Sequence, residues 1–155
     1  GGVCSIEKQG KWLREELTDK NHLRGALKSY RRECFEDISG LRQAMGWDTV
    51  DELLAQYYGW EVLVDNTLLV KHLRPTASRY NSQAQGGMFY RLRYGMILSF
   101  LASAKLAYKK QSFHLFWDYI KGYFKAKKEK QDFLVTPEEG KWIRAYRWRN
   151  IKKKF

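Results

Sequence analysis

Of 155 residues only two are cysteines, Cys4 and Cys34, and only two are prolines. Two cysteines cannot build a disulfide framework or a thiolate zinc site, and the plain reading is two free thiols in a reducing compartment. No apolar run approaches the ~20 residues needed to span a bilayer. No secretory signal peptide opens the chain, and it starts Gly1-Gly2 without an initiator Met, which reads as a processed or cut piece. There is no phosphate-binding loop, no Gly-x-Ser-x-Gly, no His-Glu-x-x-His and no Asp-x-Asp. The motifs of nucleotide hydrolases, serine hydrolases and zinc proteases are therefore missing. No internal repeat is visible.

What the chain does have is positive charge and rings. Its net charge is +12, and aromatic residues make up 15%. The charge is unevenly placed: residues 1–70 hold 9 Lys/Arg against 12 Asp/Glu, whereas residues 71–155 hold 20 against 5. The basic half must face something negative, such as nucleic acid, anionic lipid or a phosphorylated ligand. Hydrophobic residues at 44% place the whole among folded chains with a real core.

Periodicity then suggests elements. "VCSIEKQGKWLREEL" reads as two short strands around Gln9-Gly10, and "TDKNH" as a polar loop. "RRECFEDI" reads as a short helix ended by Gly40. In "GWDTVDELLAQYYGW", Thr49 and Glu52 form a capping-box pair. Val50, Leu53, Leu54, Tyr57 and Tyr58 recur at helical spacing, and Gly59 supplies the stop, so a helix is expected from Thr49 to Tyr58. "WEVLV" and "TLLVKHL" read as two strands around Asp65-Asn66, the second closed by Pro75. "TASRYNSQAQGG" reads as a flexible loop. Beyond it the chain turns helical: "MFYRLRYGMILSFLASAKLAYKK", then "SFHLFWDYIKGYFKAKKEK", then a helix announced by Thr136, Pro137 and Glu139.

Three groups of residues carry candidate chemistry. Asp48, Asp51 and Glu52 cluster in the acidic half. They can be caps and dipole partners of the helix start, or Asp48 can be a general base for a substrate hydroxyl, with Trp47 beside it as a stacking ring. His72 alternates with Leu68 and Val70 on one side of its strand. It is either a hydrogen-bonded core histidine or a metal ligand at a strand end that needs carboxylate partners. The basic, ring-rich helices are solvated surface, an in-plane membrane helix near anionic lipid, or a nucleic-acid surface. In the membrane reading Met96, Ile97, Phe100, Leu101 and Leu106 face the acyl region.

The order "RGALKSYRRECFEDISGL", "GWDTVDELLAQYYGW", "LLVKHLRPT" resembles the acceptor-side half of family 2 glycosyltransferases with the GT-A fold. The resemblance covers residues 1–76 by motif and the rest by general character. It implies an α/β fold, the C-terminal half of a GT-A enzyme, followed by a mainly helical basic tail. It divides the chain into an acceptor-side part over 1–76, a flexible loop over 77–87 and a basic aromatic helical region over 88–155. By resemblance, Asp48 is the catalytic base and Asp51 the reserve candidate. His72 is a late ligand of a divalent metal, Mn²⁺ or Mg²⁺, in the full-length enzyme. Trp47 and Arg74 serve substrate binding. Trp47 stands where a Glu is more usual, and Ala77 where a Gly is expected. The implied reaction is inverting sugar transfer from a nucleotide-sugar to a polysaccharide or lipid-linked acceptor. Its setting is cytoplasmic and peripheral to the membrane, and nucleic acid is not the expected partner. The donor-binding half with its Asp-x-Asp is missing, so the chain alone is expected to be inactive. The competing reading is a non-enzymatic, basic nucleic-acid-binding module.

Overall fold

The computed structural model describes residues 3–8, 11–14, 23, 25–65, 67–72 and 81–153. The chain divides into two compact units, Gly1–Gln43 with Trp47–Tyr80, and Ala44–Gly46 with Asn81–Phe155.

The first unit contains a three-stranded sheet of order β2-β1-β3, with β1 at Val3–Lys8, β2 at Lys11–Arg14 and β3 at Leu69–His72. β1 pairs antiparallel with β2 and parallel with β3, where Ile6 stands opposite His72. Two helices follow β2 in sequence, α1 at Arg32–Asp37 and α2 at Trp47–Tyr57. Val50, Leu53 and Leu54 are buried, as the helical spacing of α2 requires, and share the interior with Cys34 and Ile38, whereas Tyr57 is half-buried and Tyr58, just past the helix end, is exposed. Helix α2 ends in a two-bond C-terminal motif: Gly59 has φ +86°, its N–H donates to Gln56, and the Trp60 N–H donates back to Ala55.

The second unit is four helices: α3 at Ser82–Arg91, α4 at Gly95–Lys109, α5 at Phe113–Lys128 and α6 at Pro137–Lys152. Helices α3 and α5 approach so closely that a Cβ on Gly86 would collide with the Tyr119 carbonyl oxygen, and one on Gly122 with the Gln83 carbonyl oxygen. The two glycines are thus reciprocal, each meeting the other helix's backbone. Helix α6 starts with the expected capping box: Thr136 N–H donates to Glu139 Oε2 at 2.7 Å and Glu139 N–H to Thr136 Oγ1 at 3.3 Å, with Pro137 in the first turn. Arg91 and Arg93 tie the end of α3 to the segment before α6. Arg91 Nε donates to the Asp132 carbonyl at 2.9 Å, Arg93 Nε to the Val135 carbonyl at 3.0 Å, and the Arg93 guanidinium lies 3.6 Å from the Phe133 ring centre.

Several expectations are corrected. The α/β fold of a GT-A half is overturned: helices account for most of the described residues, and the strands are short pieces of six, four and four residues. The helical period of α2 to α6 outweighs the brief β-like runs. No strand forms over Trp60–Val64, because β3 takes β1 as its partner. Asp65 instead accepts from the Thr67 N–H at 2.9 Å in a local turn. Helix α2 begins at Trp47, so Thr49 lies inside the first turn and is not its cap. The flexible loop expected over 77–87 is helical from Ser82, since Asn81 Oδ1 accepts from the Ala84 N–H at 3.0 Å. The helix expected to run on from Met88 is cut between α3 and α4, where Arg93 takes φ +56°. The Gln9-Gly10 turn and residues 77–80 lie outside the described residues.

Candidate functional site

The acidic cluster is built at the start of α2 by the extended stretch that precedes α1. Lys28 and Tyr30 are two residues apart in that stretch, so both side chains point the same way. Lys28 Nζ lies 2.7 Å from Asp51 Oδ1 and 3.0 Å from Glu52 Oε1, and it also donates to the Asp48 carbonyl oxygen. Tyr30 donates its hydroxyl to Asp51 Oδ2. Asp51 Oδ1 accepts in addition from the Glu52 N–H at 2.7 Å, and Glu52 Oε1 from the Leu23 N–H at 2.7 Å. The side chains of Lys28 and Asp51 are each only 2% exposed. Such a pair survives burial because every charged atom has partners.

The electrostatics follow from that burial. Desolvation pushes the Asp51 carboxyl above the usual carboxylate range, and the bonds from Lys28 and Tyr30 pull it back only in part. The Tyr30 hydroxyl is raised by its own burial, then by donating to Asp51 and by the negative charge of Asp51 and Glu52. The Cys34 thiol is raised by burial, then by the charges of Asp37 and Asp51. Both oxygens of Asp51 are engaged, so this carboxylate holds structure at the helix start.

Asp48 sits half-buried in the first turn of α2, where backbone N–H groups favour an anion. The half-buried Trp47 indole packs on Gly25, where a Cβ would come within 2.6 Å of the ring, and its centre lies 5.7 Å from Lys28 Nζ. Glycine at position 25 is therefore what admits the indole. A further link joins α1 to the end of α2, since Trp60 Nε1 donates to Asp37 Oδ2 at 2.8 Å. Segments far apart in sequence thus meet at both ends of one helix.

His72 ends β3, and its side chain lies outside the described residues, as does Arg74. Among the described residues no three His, Cys, Asp or Glu side chains come together as a metal set. A divalent metal therefore has no assembled donor set in these residues. Sequence reasoning overlooked Lys28 and Tyr30, although their i, i+2 spacing in an extended run carried the signal. Compared with family models, curated proteins and solved structures, the chain finds no match in any of the three.

Proposed function

We propose that the first unit supplies the acceptor side of a sugar-transfer reaction, with Asp48 as its general base. The observation that supports this reading is the convergence at α2: Gly25, Lys28 and Tyr30 from one motif segment meet Trp47, Asp48 and Asp51 from the next. Lys28, Tyr30 and Asp51 act as positioning residues. They fix the helix start, so that the Asp48 carboxylate sits at the positive end of the α2 dipole. In the reaction, Asp48 takes the proton of an acceptor hydroxyl as that oxygen attacks the anomeric carbon of a nucleotide-sugar. The bond from that carbon to the nucleoside diphosphate breaks, and the diphosphate leaves with its electron pair. Trp47 offers a ring edge to a glycan or lipid-linked acceptor. The setting we infer is the cytoplasm, peripheral to its membrane. Among the described residues no helix is long and apolar enough to cross a membrane.

The test is turnover of a nucleotide-sugar by the full enzyme that carries this chain. Asp48→Asn should lower kcat by about 10²–10⁴-fold with the melting curve unchanged. Asp51→Asn should lower the melting temperature as well. Full turnover by Asp48→Asn sinks the assignment.

A further inference from the structure

Helix α4 buries little of its apolar surface. Its buried side carries Leu98 with Ser99, Ser103 and Ala107, the last three at i, i+4 and i+8. Both hydroxyls are satisfied within the helix, Ser99 Oγ donating to the Gly95 carbonyl at 2.6 Å and Ser103 Oγ to the Ser99 carbonyl at 2.7 Å. Apart from the buried Leu98 and the half-buried Leu106, the large apolar side chains point the other way. Ile97, Phe100, Leu101 and Tyr108 share one face at helical spacing and are all exposed, Ile97 by 69% and Tyr108 by 88%. A surface helix in water normally shows the reverse pattern.

The apolar face continues onto α5. Phe100 meets Phe116 edge-on at 5.8 Å, and Phe116 contacts Phe113 at 6.3 Å and Trp117 at 5.3 Å. Phe113 is 82% exposed and Trp117 54%. Patches of this kind mark a surface that something covers. The charges around it are mostly positive, the nearest acid in sequence being Asp118, which accepts from the Ser82 hydroxyl. Residues 81–117 contain no Asp or Glu at all, while Lys105, Lys109 and Lys110 are exposed along the C-terminal half of α4.

We propose that this face of α4 and the start of α5 docks in the plane of an anionic lipid bilayer, its apolar side chains entering the acyl boundary and its lysines meeting the headgroups. Three observations favour this occupant. The exposed stripe combines aliphatic residues, which need an apolar phase, with a Trp and a Tyr suited to the interface. A second copy of the chain would bring lysine against lysine on a molecule of net charge +12. A nucleic acid would take the lysines and rings but has no phase for Ile97 and Leu101. At 15 residues α4 is too short to span a bilayer and long enough to lie along one. The inference stands apart from sugar transfer, since vesicle binding needs no turnover.

The experiment is sedimentation of the full chain with phosphatidylcholine vesicles, with and without phosphatidylserine, at low and moderate salt. Binding should require phosphatidylserine and fade with salt. Changing Lys105, Lys109 and Lys110 together to Gln should weaken it by about fivefold per lysine, on the order of 100-fold in all. The double variant Ile97→Glu, Leu101→Glu should lose binding altogether, and both variants should keep the parent's circular dichroism and melting curve. The proposal is overturned by negligible pelleting under every condition. It is equally overturned by undiminished binding of the Glu variant, which would reveal charge attraction alone. A solution dimer, or a salt-sensitive oligonucleotide complex, that the Glu variant abolishes while vesicles stay unbound also overturns it.

Discussion

The two units solve the same problem, how to bury polar atoms, in opposite ways. In the first, a lysine, a tyrosine and two acids reach across the chain to one another; Lys28 and Asp51 are 23 residues apart. In the second, buried hydroxyls return to their own helix, and helices close on each other through glycine. The first unit therefore fails when one partner is removed, because a buried charge is left alone. The second fails when a side chain is added at Gly86 or Gly122, because backbone already touches backbone there. The contrast puts the buried charge in one unit and the tightest backbone packing in the other.

The sharpest way to break the comparison is Lys28→Met. It keeps most of the side-chain volume and removes the cation, so the first unit should lose about 3–5 kcal/mol in urea unfolding at neutral pH. The loss has a pH signature. Burial already raises the Asp51 carboxyl, and without Lys28 only the Tyr30 hydroxyl and the Glu52 N–H oppose that rise. A raised carboxyl favours the folded state while it is protonated, below its unfolded value, and that benefit is lost as pH rises through the raised value. The deficit of Lys28→Met should thus grow from acid to neutral pH. A flat deficit would point to packing instead.

Gly86→Ala comes next. One added methyl must push α3 from α5 or bend a backbone, which should cost about 1–3 kcal/mol, and Gly122→Ala should behave alike. Both should leave the unfolding of the first unit unmoved, read by amide hydrogen exchange in α2 against that in α3 and α5. If Gly86→Ala is as stable as the parent, the close approach of the helices is wrong.

The smallest effect has the opposite sign. Helices α3, α4 and α5 each end on a non-glycine residue with positive φ: Arg93, Gln111 and Lys130. Gln111 is exposed at the end of α4. Gln111→Gly should therefore stabilise the chain by about 0.5–1 kcal/mol, read as a raised melting temperature.

How much of this was legible in the sequence depended on where the deciding interaction lay. Helix α6 was readable because Thr136, Pro137 and Glu139 act on neighbouring backbone, and the buried face of α2 because periodicity reports burial directly. The end of α2 was readable for the same reason, with glycine at the turning residue. The ends of α3, α4 and α5 were not, because Arg93, Gln111 and Lys130 carry no such signal. Helix α3 was hidden too, since Gly86-Gly87 reads as a loop until α5 supplies the reason for it. The fold class failed for a related cause. Runs such as "WEVLV" have strand composition, but pairing decides whether they become strands, and β3 found β1 instead. At the candidate site the acids were visible and their partners were not. Lys28 and Tyr30 look like ordinary polar residues until the chain brings them over Asp51.

The reciprocal glycines of α3 and α5 carry an evolutionary consequence. A side chain that crowds another side chain can be forgiven by a second substitution nearby, which is how cores drift. Gly86 and Gly122 face carbonyl oxygens, and no codon change alters a carbonyl. A descendant of this chain that lost either glycine would have no compensating neighbour to recruit. Either both positions stay glycine through descent, or the two helices part company and the unit acquires a different packing.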